Sequence, residues 1–211
     1  MILPATFNQG LARVAHSQQL SQSNADLIVH GLHGSPLRAL APARQSLFWT
    51  AGDLSSPRQG DRHGKAGTAE LGYGYRASET LQLNLAVGRS YGMVSTDQGG
   101  RTAARGSYTM PELIVALPGA LYVTVSGYYA RGALNIERGY LNAGWREQTS
   151  ARPSVQGRGA RLRLDWQDAA AWEHGGLTPY ASLTRLDTRT ASYTERGGGF
   201  PANWHARQDR V

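Results

Sequence analysis

The sequence predicts an all-β fold: an antiparallel transmembrane β-barrel, with an N-terminal α-helix in its lumen. Three observations predict it. From Gln45 onward apolar and polar residues alternate with period two, the pattern of strands with one apolar and one polar face. Short turns at 77–79 and 118–120 alternate with long polar stretches at 54–66, 93–105 and 135–153, as in barrels with tight turns at one rim and long loops at the other. No stretch approaches the ~18 consecutive apolar residues that a membrane helix needs, and the other way to satisfy every backbone group in lipid is a closed barrel. Alternation alone also suits a soluble two-sheet sandwich, which is the competing architecture.

In chain order, residues 5–33 read as helix. Phe7, Leu11, Val14, Leu20, Leu27 and Ile28 recur at loose helical spacing among Gln, Ser, Asn and His, and Gly31 and Gly34-Ser35-Pro36 supply the stop. Such a polar helix suits a wet channel better than a dry core. Residues 35–44 form a Pro-containing connector. Strand-like segments follow. Leu47, Trp49 and Ala51 oppose Phe48, Thr50 and Gly52; Ala69, Leu71, Tyr73 and Tyr75 oppose Glu70, Gly72 and Gly74. Over 80–92, Leu81, Leu83, Leu85 and Val87 oppose Gln82, Asn84, Ala86 and Gly88. Segments 106–117 and 121–134 flank the Pro118-Gly119-Ala120 turn. In 155–168, Ala160, Leu162, Leu164 and Trp166 oppose Arg161, Arg163 and Asp165, and an alternating segment covers 176–191. The count is about seven strands, with the start of an eighth at 203–211.

Composition narrows the function classes. Cys is absent, which excludes a disulfide framework and thiolate metal sites. Net charge is +7, but the basic residues are scattered along the chain instead of clustered, so a nucleic-acid partner is not expected. Met1-Ile2-Leu3-Pro4 lacks the charged and apolar regions of a signal peptide. Export therefore implies a longer precursor or a broken reading frame.

Several groups of residues invite a chemical reading. Gly88-Arg89-Ser90-Tyr91-Gly92 fits the nucleophile-elbow spacing, but the elbow needs a strand, a sharp turn and a helix, and Ser90 sits within an alternating strand. His30 and His33, with Asp26 one turn earlier, fall short of the three or more ligands of a metal site. Glu70, Glu112, Arg161, Arg163 and Asp165 are expected to face the lumen and to pair with one another or with the helix, since buried charges need partners. Trp49, Tyr73, Tyr75, Tyr91, Tyr129 and Trp166 are candidates for the aromatic girdle at a membrane interface. No catalytic residue, metal or cofactor is expected.

Two pairs of segments carry a family resemblance. Asp26–Leu37 followed by Ser46–Asp53 resembles the junction of linker helix and first strand in the autotransporter β-domain, the translocator of type V secretion in Gram-negative bacteria. Arg138-Gly139-Tyr140-Leu141-Asn142-Ala143-Gly144 and Tyr193–Ala202, with its Gly-Gly-Gly-Phe-Pro-Ala run, are similar to later segments of that domain and look closest to those following subtilisin-like protease passengers. The resemblance implies a twelve-stranded barrel threaded by a helix. That barrel anchors in outer-membrane lipid, is inserted by the barrel-assembly machinery and helps to export an N-terminal passenger. It divides the chain into a linker helix, 1–34, and a partial barrel, 35–211, with about seven or eight of the twelve strands. Some relatives cut their linker beside an asparagine, but no such motif surrounds Asn24. The alternatives are a soluble β-rich binding module and a hydrolase using Ser90.

Overall fold

A computed structural model describes residue 20 and residues 22–210, apart from 57, 60–61, 96–98 and 174. Much of the expected helix, including Phe7, Leu11 and Val14, lies outside the described residues. Residues 22–26 are α-helical and pass into a π-helical segment, Leu27–Leu32, followed by a 3₁₀ turn, Pro36–Ala39. The strands are β1 (Ser46–Ser55), β2 (Arg58–Gln59), β3 (Arg62–Arg76), β4 (Leu81–Ser95), β5 (Arg101–Leu117), β6 (Leu121–Asn142), β7 (Trp145–Ala151) and β8 (Ser154–Trp166). They continue as β9 (Ala170–Trp172), β10 (Gly175–Leu177), β11 (Tyr180–Thr190), β12 (Tyr193–Thr194), β13 (Asn203–Trp204) and β14 (Arg207–Arg210).

The main sheet is an antiparallel meander in the order β1-β3-β4-β5-β6-β8-β11-β14, with β2 added to β3 and β7 to β6. It curls. Ala25, Ile28 and Val29 of the helix share one apolar cluster with Trp49 of β1, Ala86 of β4, Tyr108 and Met110 of β5, Tyr128 of β6 and Leu186 of β11. In a flat sheet β1 and β11 would stand six strand spacings apart, about 29 Å. They meet one helix because the sheet wraps around it. Among the described residues no pairing joins β1 to β14, so the wrapped sheet keeps two open edges.

Alternation decides which side chains face the helix. On β4, Gln82, Asn84 and Ala86 are at most 5% exposed, whereas Leu83, Leu85 and Val87 are about half exposed. The same parity runs through β3, β5, β6 and β8. The outward face is therefore apolar and the inward face mixed. That is the reverse of a soluble globular domain, which buries its leucines.

The long polar stretches are not loops. β1 and β3 pair as far as Ser55 and Ala66, and β4 and β5 as far as Ser95 and Arg101. β6 runs unbroken to Asn142 before turning into β7. Hydrogen bonding continues beyond the apolar band, and on β6 Leu134, Ile136, Arg138 and Tyr140 remain buried there. At the other rim, the expected strand at 176–191 begins at Tyr180, and Leu177 belongs to a small hairpin, β9–β10. The expected eighth strand is split: β13 pairs with β12 at the long-loop rim, while β14 pairs with β11.

Candidate functional site

The site is built where the helix ends against the inner face. An α-helix leaves its last carbonyls without amide partners, and cations placed there are favourable. Arg161 Nη1 donates to the Val29 carbonyl at 2.5 Å and its Nη2 to the His33 carbonyl at 2.7 Å. Arg163 Nη1 donates to the Gly34 carbonyl at 2.7 Å. The first of these bonds accounts for the π turn. In an α-helix the His33 amide would bond to Val29, but Arg161 occupies that carbonyl, and the amide bonds instead to Ile28 O at 3.0 Å. A side chain inserted into the ladder widens the turn.

His33 is 3% exposed and lies between two carboxylates: its Nε2 is 3.0 Å from Glu70 Oε2 and its Nδ1 3.3 Å from Glu112 Oε1. A neutral imidazole donates from one nitrogen only; the imidazolium donates from both and, with Arg161, sets two cations against two carboxylates. Glu70 also accepts from Tyr108 Oη at 2.8 Å and Trp49 Nε1 at 3.2 Å. Glu112 accepts from Ser126 Oγ at 3.1 Å, and Arg161 Nη2 approaches it at 3.5 Å. Arg163 forks onto Asp165, with its closest contact at 2.6 Å, and lies 3.7 Å from the Tyr180 ring. Below this cluster, Gln82 accepts from the Ala41 amide at 2.8 Å and donates to the Ala39 carbonyl at 2.6 Å, fixing the connector across the turn rim.

Glu70, Glu112, Arg161, Arg163 and Asp165 thus all stand on the inner face, at most 7% exposed. The first three converge on His33, a residue that the sequence offered only as a helix-end histidine. His30 points elsewhere, 45% exposed and 3.7 Å from Asp26, so the two histidines do not converge. Ser90 lies within β4, paired across to Thr68 and Gly106, and the strand continues to Ser95 with no sharp turn.

Of the six aromatic candidates, Tyr73, Tyr75, Tyr129 and Trp166 lie outward and exposed, and Tyr91 is outward beneath Arg105. Trp49 departs from the expectation. It turns inward, its ring across Gly72 in its register partner strand, where any Cβ would collide with the indole. The bare backbone of Gly72 makes the room, and Glu70 satisfies the indole N–H.

A second polar cluster sits at the long-loop rim. Arg138 of β6 and Glu195 are buried together, Nη2 to Oε2 2.5 Å, and Thr149, Trp204 and the Ala202 amide also donate to Glu195. The Phe200 amide donates to Tyr140 Oη at 3.1 Å, and the Gly199 amide to Glu147 at 2.8 Å. Two segments, 138–144 and 193–202, far apart in sequence, are therefore folded onto one another.

Comparison with known proteins gives a family and a fold. The family model described as autotransporter beta-domain matches residues 47–211. No curated protein matches the chain. Among solved structures, it is similar to the translocator domain of the autotransporter NalP from Neisseria meningitidis, with 15% identity and a TM-score of 0.68 over 90% of this chain and 67% of that one. At that identity the likeness shows the fold.

Proposed function

The chain belongs to the autotransporter β-domain family, and from that premise we propose how its own residues serve translocation. It is an outer-membrane translocator domain, itself non-catalytic, and its family implies a passenger domain. In our reading residues 1–34 are the linker that occupies the lumen and residues 35–211 the barrel wall. The helix descends from the long-loop rim. Leu20 packs beside Leu134 and Ile136 near that rim, Ile28 lies midway, and the connector at Ala39 and Ala41 is held by Gln82 at the turn rim. A passenger joined upstream would emerge among the long loops.

The observation that carries this reading is the grip of Arg161 and Arg163 on three helix-end carbonyls. Those bonds hold the chain inside the wall after passage. The outward leucines and valines are the surface for membrane lipid, and the open edges of β1 and β14 are what assembly machinery would engage, since unpaired edges invite strand addition. The identity of the passenger as a subtilisin-like protease belongs to the same proposal.

The test is to express the chain with an exported reporter passenger upstream and to add protease to intact cells. The expected result is removal of the passenger in both the parent and R161M/R163M, with the protease going on to cut the linker within the lumen only in the variant. A passenger that stays protected in the parent overturns the proposal. The competing reading, a soluble binding module, predicts recovery as a monodisperse monomer without detergent. The exposed apolar band, including Leu71, Leu85, Leu162 and Leu183, speaks against it.

A further inference from the structure

The outer face carries a charge pattern that translocation does not require. Starting from the short-turn rim and moving outward along each strand, the first charged residue on the outer face is Lys65 on β3, Arg89 on β4, Arg105 on β5, Arg131 on β6, Arg158 on β8 and Arg185 on β11. All six are exposed cations. On these six neighbouring strands no outward carboxylate precedes them among the described residues, and the turn rim has no matching set.

The six also stand level with one another. Lys65 pairs with Met93, four residues beyond Arg89. Arg89 pairs with Ser107, and Arg105 lies two residues further up. Arg105 pairs with Ala133, Arg131 with Gln156 and Arg158 with Asp187, and in each case the next cation lies two residues lower. The net descent is eight residues over five strand steps, a slope of about 45°. Barrel strands tilt by about 35–45°, so a line with this slope across the register runs level around the wall. The inner face shows the same tilt independently. Glu112 lies four residues below the register row of Glu70, two strands away, yet both carboxylates reach His33. The six cations therefore form a belt at one height, at the upper edge of the apolar band.

The belt has a recess suited to a ligand with a charged head and an apolar tail. A concavity of about 870 Å³ on this face is lined by Leu54, Lys65, Arg89, Tyr91, Arg105 and Arg131. Arg105 lies 5.6 Å from the Tyr91 ring centroid and Arg131 5.3 Å from that of Tyr129, and Arg131 Nε donates to the Tyr129 hydroxyl, so the aromatics hold both guanidinium groups at the surface while the Nη groups of Arg131 remain for a ligand. Among the described residues Lys65, Arg89 and Arg158 have no ion-pair partner, whereas Arg185 is 3.8 Å from Asp187. Cations at this height attract phosphate oxygens by their charge, whether arginine or lysine carries it.

We propose that this belt binds the phosphate groups of anionic lipid headgroups in the leaflet at the long-loop rim, with the acyl chains lying down the apolar band past Leu71 and Val87. The inference rests on the reading that the outer face meets a membrane, and the experiment separates the two. The full chain in non-ionic detergent micelles is titrated with bis-phosphorylated lipid A, with phosphatidylcholine, or with inorganic phosphate, and retained lipid is counted by native mass spectrometry.

The parent is expected to retain lipid A in preference to phosphatidylcholine, and inorganic phosphate is expected not to displace it. R89Q/R105Q/R131Q should weaken retention by about a hundredfold, three surface charges' worth. R89K/R105K/R131K should keep most of it. Equal retention of both lipids, parent-like retention in the Gln variant, loss in the Lys variant as well, or displacement by inorganic phosphate would each overturn the belt. A chain that associates with neither lipid nor micelle would instead sink the membrane reading beneath it.

Discussion

The helix-end cluster and the rim cluster use the same chemistry in different settings. Each buries an arginine against a carboxylate, Arg161 with Glu112 and Arg138 with Glu195, and each adds hydroxyl and backbone partners. Arg161 is enclosed by the wall on one side and the helix on the other. Glu195 lies on a segment, 191–206, that is folded back over the β6–β7 ribbon. The difference concerns what happens when a partner is lost. At the helix end an orphaned charge has nowhere to go. At the rim the segment can peel away and let Arg138 rehydrate, so the cost is capped by the free energy of local opening.

The largest effect that would break this comparison is R161M. It uncaps two carbonyls and leaves Glu70 and Glu112 sharing His33 alone, one cation short, which should cost about 3–5 kcal/mol, the range for breaking a buried pair. Urea unfolding of the chain in detergent measures it, and a loss no greater than that of the rim variant would erase the contrast. E195Q should cost less, about 1–3 kcal/mol. Its signature is local: faster protease cleavage within 191–206, with the wall strands as resistant as before.

The pH dependence sharpens the same point. Burial by itself raises the Glu195 carboxyl, but the hydrogen bonds and charge of Arg138, with Thr149 and the Ala202 amide, outweigh it and hold the group below its ordinary value of 4.5. A carboxylate so depressed stabilises the rim above that ordinary value, and the contribution is lost as pH falls through the lowered one. Cleavage within 191–206 should therefore rise below about pH 4.5 in the parent and stay flat in E195Q. The smallest effect is expected for G198A. Gly198 has φ +63°, and a Cβ there would collide with the Tyr140 hydroxyl. The left-handed backbone costs a non-glycine residue roughly 1–2 kcal/mol, which again should appear as rim cleavage.

The wall was readable in the sequence because one face of each strand is apolar. Leu83, Leu85 and Val87 announce their face, and Arg161, Arg163 and Asp165 announce the other. Alternation falls silent above the apolar band, so 54–66, 93–105 and 135–153 read as loops although they are paired ribbons. Partner identity was also hidden. Arg161 meets Val29 across 132 positions, and nothing local to either residue points to the other. His33 looked like an ordinary polar helix end for the same reason. Trp49 misled because aromatic character does not encode direction, and the signal that could have corrected it was Gly72, a bare position in the neighbouring strand. The two late segments that carried the family resemblance proved to touch, which sequence spacing does not disclose.

The way Arg161 and Arg163 hold the helix has a wider consequence. They bond to carbonyl oxygens of Val29, His33 and Gly34, atoms that every residue possesses. Such a clamp recognises a shape of main chain and is nearly blind to the side chains that decorate it. The side-chain contacts that this wall adds, at His33, Ile28 and Val29, are then separate from the clamp that fixes where the helix ends. The depth at which the helix stops is thereby set by main-chain geometry, a ruler built into the wall.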